Sequence, residues 1–517
     1  MWQSIKHTAV LALLCFGLNS PSWATDSYDL VLNGGRVIDP ETGLDAVRHI
    51  GVRDGKIVSM SETALRGKRV LDVSGLIVSP GFIDLHAHGQ TILANRVQAY
   101  DGVTTALELE SGVFPIDAYY QRRAAEGSPL NYGASVNWLS ARIAALLDLT
   151  PTGDADWFTQ ALTRDGWQDS IATPEQLDTI EQLVAEGLNQ GGLGVGFLTG
   201  YAPGSGHKEY YRINQLAAAR GVPTFTHARF LSMAEPQSSF EAIQEIISVA
   251  ASTGVHAHIV HLNSISLKDI ELIRPMILNA RDNGAKLSTE AYPYGAGATS
   301  IGAAMFRGEG WRERIGAITA NNFAVDGRRL DEAEFARLQK EAPATDIIIH
   351  FLDASKPDER ALIDQAILMP EGIIASDGGG WTLANEPVAA TAWPLPEQAW
   401  SHPRSAGTYA RFIRNYVTER QALNLTDAIA KVSYLPAKLL QESVPQMRHK
   451  GRLQVGADAD IVVFSLPEFA DAATFATPAQ LSKGLKHSII NGQLLIADGV
   501  LNTSIMPGQA VRNSGTR

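Results

Sequence analysis

Cysteine is almost absent from this chain. Its 517 residues include one, Cys15. That residue lies in a leader-like segment: Lys6 supplies charge, Val10 to Leu18 an apolar core, and Ser22-Trp23-Ala24 a small-x-small cleavage site. We expect cleavage after Ala24 and a secreted or periplasmic location. What remains then has no thiol, so disulfides and sulfur metal ligands are excluded. Long hydrophobic runs are missing too. The leader's apolar stretch is too short to span a bilayer, so no membrane contact is expected after cleavage. Positive charge is in deficit: 43 Lys and Arg stand against 55 Asp and Glu, a formal net charge of −12. Such a surface argues against nucleic acid and anionic lipid as partners. Lysine is absent between Lys68 and Lys208. No internal repeat or low-complexity tract is present.

What is present divides into two textures. Residues 28 to 78 alternate apolar and polar positions around Asn-Gly-Gly and Asp-Gly, the pattern of short strands joined by tight turns. The same texture returns in ADIVVFSLP and HSIINGQLLIADGVL. Both ends are therefore expected to build one β domain, from residues 25–78 and 446–517, after a leader of 1–24. Between them, over 79–445, strand-like apolar runs end at His88, Glu110, Trp138, Gly200, His227, His261, Tyr294 and Asp377. Helix-like stretches such as PEQLDTIEQLVAEGLNQ and SFEAIQEIISVAAST alternate with them. Eight such units predict an α/β fold, a (β/α)8 barrel with a small β-sandwich domain built from both termini. The span exceeds a plain barrel, and the large insertion is expected at about 300 to 365, between the seventh and eighth strands.

Titratable groups gather at the strand ends, where barrel enzymes carry their chemistry. In PGFIDLHAHG, His86 and His88 are two apart and share one strand face, half of a divalent metal site. His227 closes VPTFTHAR, His261 closes VHAHIVHL, and Asp377 closes GIIASDGGG. Each alone reads equally well as an ordinary core or turn residue; five together at four strand ends do not. His256 and His258 share a face opposite to His261, and alternation cannot choose among the three. A bridging anion between two metals cannot be a thiolate. Nor can it be a modified lysine on the fourth strand, which has none. Glu108 and Glu110 remain, on one face of GVTTALELESG; Glu110 lies nearer the strand end and is preferred. Buried strand acids are costly unless paired or metal-bound.

From about Asp29 to its end the chain resembles the amidohydrolase superfamily, and within it the N-acyl-D-amino-acid deacylases. The segments that carry the resemblance include PGFIDLHAHG, GVTT, GGLGVGFLTGYAPG, THAR, HLNS, AYPYGAGAT, SDGG, HPRSAGTYARFIRNYV, GADADIVVF and PGQAVR. It implies a zinc-carrying (β/α)8 barrel, with His86, His88, His227 and His261 as metal ligands and Asp377 as catalytic acid-base and ligand. Two departures matter. The deacylases place a bridging cysteine close to Ser111, where Glu110 has to substitute. Their sixth strand carries His-x-Lys for the substrate carboxylate, and here that position is Asn263.

The expected activity is hydrolysis of the amide of an N-acylated amino acid, D-configured by resemblance, with one or two Zn²⁺ ions activating water and Asp377 moving its proton. A dipeptidase or cyclic-imide hydrolase is the alternative within this chemistry; a non-catalytic scaffold is the alternative outside it. The partner is a small N-acyl amino acid or dipeptide-like molecule; self-association into a homo-oligomer is left open. Arg229, two residues past His227, and Arg404 in HPRSAG are candidates to meet a substrate carboxylate. Tyr292 and Tyr201 are candidate hydrogen-bond donors to substrate. His207, His350 and His402 are not expected among the ligands.

Overall fold

The structure, a computed structural model, describes residues 28–513 apart from 153–156, 158, 159, 162, 163 and 385; the expected leader lies outside the described residues. The N-terminal segment forms β1 (Tyr28–Asp39), β2 (Leu44–Arg53), β3 (Lys56–Ser61), β4 (Gly67–Asp72) and β5 (Ile77–Pro80). Asp54 and Gly55 both have positive φ and form the two-residue turn between β2 and β3, as their residue types require. Asn33-Gly34-Gly35, expected to be a turn, is instead a bulge inside the single long strand β1, where the register against β2 shifts between Leu32 and Gly35.

Eight parallel strands follow in sequential order: β6 (Phe82–Asp84), β7 (Val103–Val113), β8 (Asn131–Asn137), β9 (Val195–Leu198), β10 (Thr224–His227), β11 (Ala257–Ile259), β12 (Leu287–Ala291) and, after an insertion, β17 (Ile373–Ile374). A parallel bridge between Ala87 and Gly378 joins the last strand to the first. Buried Asp84 pins this seam, accepting the backbone N–H of Ser376 at 3.0 Å and that of His86 at 3.1 Å. The barrel is thus closed and carries no free edge at the site. Helices cover its outside with their sequence signals intact. Pro174–Asn189 starts on a Thr173 capping box, and Ser239–Thr253 starts on the Ser238 cap and stops at left-handed Gly254.

The insertion folds into an antiparallel sheet, β13 (Ala296–Ser300), β14 (Phe323–Val325), β15 (Arg328–Arg329) and β16 (Asp346–His350), in the order β13-β16-β14-β15. It has its own apolar core, with Phe306, Phe323, Phe335 and Ile347 buried together. A ribbon of β18 (Thr382–Leu383) and β19 (Glu386–Pro387) follows the barrel. The C-terminal strands β20 (Ile461–Phe464), β21 (Leu485–Ile490), β22 (Gln493–Ala497) and β23 (Val500–Leu501) then join the N-terminal ones: β20 pairs with β5, giving one nine-stranded sheet from both ends of the chain. Among the described residues no helix is long and apolar enough to cross a membrane.

Candidate metal centre

His86 and His88 follow β6 just where the barrel seam closes, so both rings are held at the carboxyl end of the strands. Their Nε2 atoms face each other at 3.1 Å. Each ring's other nitrogen meets a carboxylate: His86 Nδ1 lies 2.5 Å from Glu290 Oε1, and His88 Nδ1 lies 2.9 Å from Glu108 Oε2. An ionised carboxylate only accepts, so both Nδ1 atoms carry a proton, and in the neutral, ligating form of each ring the lone pair is on Nε2. On the other side of the mouth, His227 Nδ1 and His261 Nε2 are 3.0 Å apart. Glu110 spans the two pairs. Its Oε2 is 3.0 Å from His86 Nε2; its Oε1 is 2.8 Å from His227 Nδ1 and 2.8 Å from His261 Nε2. Asp377 Oδ1 completes the first group at 3.4 Å from both His86 and His88 Nε2.

Lone pairs and carboxylate oxygens converging at these distances repel one another unless positive charge sits between them. Ligand atoms about 2.0–2.1 Å from a tetrahedral Zn²⁺ lie roughly 3.4 Å apart, close to the spacings found. The donors therefore fit two cations. One group offers His86, His88, Glu110 Oε2 and Asp377; the other offers His227, His261 and Glu110 Oε1, three donors with a fourth position left for water or substrate. All are imidazole or carboxylate.

The local fold aims these groups. β7 carries a bulge between Glu108 and Val113. Left-handed Gly112 lies within it, so close to β8 that a Cβ there would stand 2.5 Å from the Ser135 carbonyl oxygen. Bulges re-aim side chains in this way. Glu110 thereby reaches the centre, while Glu108 stands behind His88 and does not span the two pairs. His261 (φ 33°) and Asp377 (φ 51°) both adopt left-handed backbone after their strands end. Such strain costs about 1–3 kcal/mol per residue and is held by the surrounding packing. The alternation of His256, His258 and His261 is resolved by the same break. His258 points into the barrel interior beneath the centre, bonded to Glu290 and Ser288, and His256 reaches Ser288; the chain leaves the strand before His261.

Electrostatics follow the geometry. Burial works to raise Glu110, yet His86, His227 and His261 hold its carboxyl well below the usual range. Burial likewise opposes, and Arg404 and His86 outweigh it, so Asp377 is held well below the ordinary carboxylate range. Glu290 is pulled down to about 2 by His86 and His258 against the effect of burial. Burial lowers His227, with Glu110 opposing.

The model of the Amidohydrolase family matches residues 69–311 and 391–496. The chain belongs to this family. It is 25% identical over 510 residues to an N-acyl-D-glutamate deacylase of Alcaligenes xylosoxydans xylosoxydans, covering 90% of this chain and 93% of that one. It is 25% identical over 493 residues to a D-aminoacylase of the same organism, covering 90% and 94%. The crystal structure of N-acyl-D-glutamate deacylase from Bordetella bronchiseptica, complexed with zinc and a phosphonate mimic of the tetrahedral intermediate, superposes with a TM-score of 0.73 at 22% identity, covering 94% of this chain and all of that one.

The remaining expected site residues of this amidohydrolase separate clearly. Arg404 is 3% exposed; its Nη2 donates to Asp377 Oδ1 at 2.8 Å, and its Nε and Nη1 are buried without a hydrogen-bond partner among the described residues. Its guanidinium lies over the ring of buried Tyr292, 4.7 Å from the centroid. Tyr201 packs 5.2 Å from the His227 ring and shares a 2.9 Å hydrogen bond with Thr299 of β13, tying the insertion to the barrel mouth. Arg229 is a correction. Its Nε and Nη2 form a bidentate pair with Glu245 at 2.9 Å each, and its Nη1 donates to the carbonyls of Pro203 and Ser205. β10 ends at His227, so strand alternation does not extend to residue 229 and its side chain turns outward to the helix. Asn263, at the position of the expected lysine, donates to the Tyr294 carbonyl at 3.1 Å and accepts from Tyr292 N at 3.3 Å. It braces the loop after β12. His207 meets Glu245, His350 packs tilted against Phe475, and His402 bonds the Ala296 carbonyl; none joins the centre. Glu290 was missed in the sequence. The signal was there: an acid two residues before Tyr292 on a barrel strand, the same argument that singled out Glu110.

Two cavities open on the centre. One of about 180 Å³ is lined by His88, Asp377, Arg404, Thr299 and Trp400. The other, of about 390 Å³, reaches His227 past Phe230, Leu231, Met305 and Trp311.

Proposed function

We propose that this amidohydrolase hydrolyses the amide bond of small N-acylated amino acids, with zinc held by His86, His88, Glu110, His227, His261 and Asp377. One observation carries the proposal: Asp377 stands between the His86–His88 pair and the buried guanidinium of Arg404, whose Nε and Nη1 have no hydrogen-bond partner among the described residues. A proton-transfer group and a carboxylate receptor are therefore adjacent. That is what an acyl amino acid presents, an amide one carbon from a carboxylate. The imidazole-rich N and O donors favour zinc, and the names of the similar proteins support both the metal and D-configured N-acyl amino acids as substrate.

Zinc at such a site lowers the pKa of bound water to about 7 and polarises a carbonyl. The chain's own residues do the rest. Asp377, held ionised by Arg404, accepts the proton of the attacking water and returns it to the leaving nitrogen, which departs as an amine. The Arg404 guanidinium draws the substrate carboxylate and so sets the amide nitrogen beside Asp377. Asn263, engaged with backbone, takes no part in that contact.

The test is a panel of N-acyl-D and N-acyl-L amino acids, dipeptides and cyclic imides assayed with the zinc-loaded protein. Amine release from an N-acyl amino acid, stopped by a chelator and restored by zinc, is expected. Activity on cyclic imides or dipeptides alone would overturn the substrate assignment. We further propose export, on the strength of Lys6, the Val10–Leu18 core and Ser22-Trp23-Ala24; the mature N-terminus read from a periplasmic or secreted fraction should be Thr25.

A further inference from the structure

Below the centre the barrel interior is not filled by apolar side chains alone. His86 Nδ1 meets Glu290 Oε1 at 2.5 Å, Glu290 Oε2 meets His258 Nε2 at 3.0 Å, His258 Nδ1 meets Ser288 Oγ at 2.7 Å, and Ser288 Oγ meets His256 Nε2 at 3.0 Å. His258 and Ser288 are direct partners in the β11–β12 register, and Ser288 and Glu290 share one face of β12. His86 and His258 are fully buried, Glu290 is 2% exposed, and His256 at the far end is half-buried. A single hydrogen-bonded chain thus runs from the metal mouth down the inside of the barrel.

Its polarity follows from one member. A carboxylate at 290 can only accept, so His86 donates from Nδ1 and His258 donates from Nε2. In a neutral His258 the lone pair is then on Nδ1, where it accepts a hydrogen bond from the Ser288 hydroxyl. Ser288 Oγ, donating there, accepts from His256 Nε2–H. Every group is satisfied, and both directions converge on Glu290. We propose that Glu290 is a positioning residue: by accepting from both sides it fixes the polarity of the whole chain, and with it the tautomer that presents the lone pair of His86 Nε2 to the metal. The inference rests on reading the centre as a metal site; an imidazole whose other nitrogen donates to a carboxylate is both oriented and a better ligand.

The tautomer of His258 gives a test that does not depend on turnover. In Glu290→Gln the amide oxygen still accepts from His86, but the amide NH₂ must donate toward His258. His258 has to switch to the Nδ1–H form, Ser288 has to turn its hydroxyl to His256, and the chain reverses. Imidazole ¹⁵N spectra of histidine-labelled protein should show His258 protonated on Nε2 in the wild type and on Nδ1 in Glu290→Gln. Adding Ser288→Ala strands the Nδ1–H of the reversed chain. E290Q and S288A should each lower zinc affinity little, and E290Q/S288A should lower it far more than the two effects multiplied. Glu290→Ala should weaken zinc binding about 10–100-fold in a chelator competition, with the far-ultraviolet spectrum unchanged. Should E290A fail to fold, the E290Q spectra and the double variant decide. A His258 that stays protonated on Nε2 in E290Q, or a folded E290A with wild-type zinc affinity, overturns the proposal. A wild type that binds no zinc removes the metal reading instead, and the His258 tautomer still reports whether Glu290 sets the chain's direction.

Discussion

Arg404→Met removes the cation that lies against Asp377 while keeping most of the side chain's length. Arg404 is 3% exposed and makes one 2.8 Å bond to Asp377, leaving two donors for substrate. Each hydrogen bond to a charged partner is worth about 1.5–3 kcal/mol, so losing two costs roughly 3–6 kcal/mol. At about 1.4 kcal/mol per decade, kcat/KM on an N-acyl amino acid should fall by about 10²–10⁴. Methionine also removes the partner of Asp377, and that loss slows every substrate. A second substrate separates the two effects. The wild type should prefer an N-acyl amino acid over the same compound with its carboxylate converted to the primary amide, because the neutral amide leaves the guanidinium unpaired. In R404M the preference should collapse to within about tenfold, since the damage at Asp377 is common to both substrates and cancels in the ratio. An R404M enzyme that kept the wild-type ratio of acid to amide would show that the carboxylate is held elsewhere, and the placement of substrate against Asp377 would fall with it.

Glu110→Ala takes an oxygen from each half of the centre at once, so bound zinc measured by atomic absorption after dialysis should drop in both, not in one. Arg229→Ala should behave as a structural variant: thermal unfolding at lower temperature by an amount reflecting about 3–5 kcal/mol for a broken buried pair, with KM within about threefold of wild type. Lys431 gives a pH prediction distant from the metals. Burial pushes its ammonium down to about 8, where it donates to the carbonyls of Met369 and Gly372. Between that value and the ordinary 10.5 the unfolded chain binds the extra proton, so the folded state gains stability as pH rises, by up to about 1.4 kcal/mol per pH unit. Urea melts from pH 7.5 to 10 should therefore show wild type gaining on Lys431→Met; parallel curves would mean that Lys431 is not depressed.

The architecture was legible because it is written in local signals. Eight apolar runs with polar ends, the helical stretch PEQLDTIEQLVAEGLNQ and the Asp54-Gly55 turn are each decided within a few residues, and all three match the structure. Asn33-Gly34-Gly35 was misread for the same reason. Its residue types suit positive φ, but the long pairing of β1 with both β2 and β4 kept the strand continuous and turned the glycines into a bulge. His86, His88, Glu110, His227 and Asp377 were singled out by counting strand-end imidazoles and acids, which needs only the period of a strand; His261 was separated from His256 and His258 only by the resemblance. What failed was extending that period past the strand. Arg229 was expected to face inward beside His227, yet the strand stops at His227 and the guanidinium goes to Glu245. Arg404, the first residue of the helix Arg404–Ile413, lies against Asp377 because the turn before that helix is held by His402, whose Nδ1 accepts the Arg404 N–H at 3.0 Å.

Glu290 exposes a different gap. A sequence shows which residues can ligate, but not which hydrogen bonds decide how they do so. That information lies in the pairing of β11 with β12, which sets His258 opposite Ser288 and Glu290 below His86. Glu108 makes the point from the other direction. By period alone it was equivalent to Glu110, and only the bulge in β7 separates the residue that spans the two halves from the one that holds His88 from behind. Exchanging the two roles would require a register shift of the strand, which the packing of Gly112 against Ser135 forbids. The division of labour between two identical side chains two positions apart is therefore a property of the backbone.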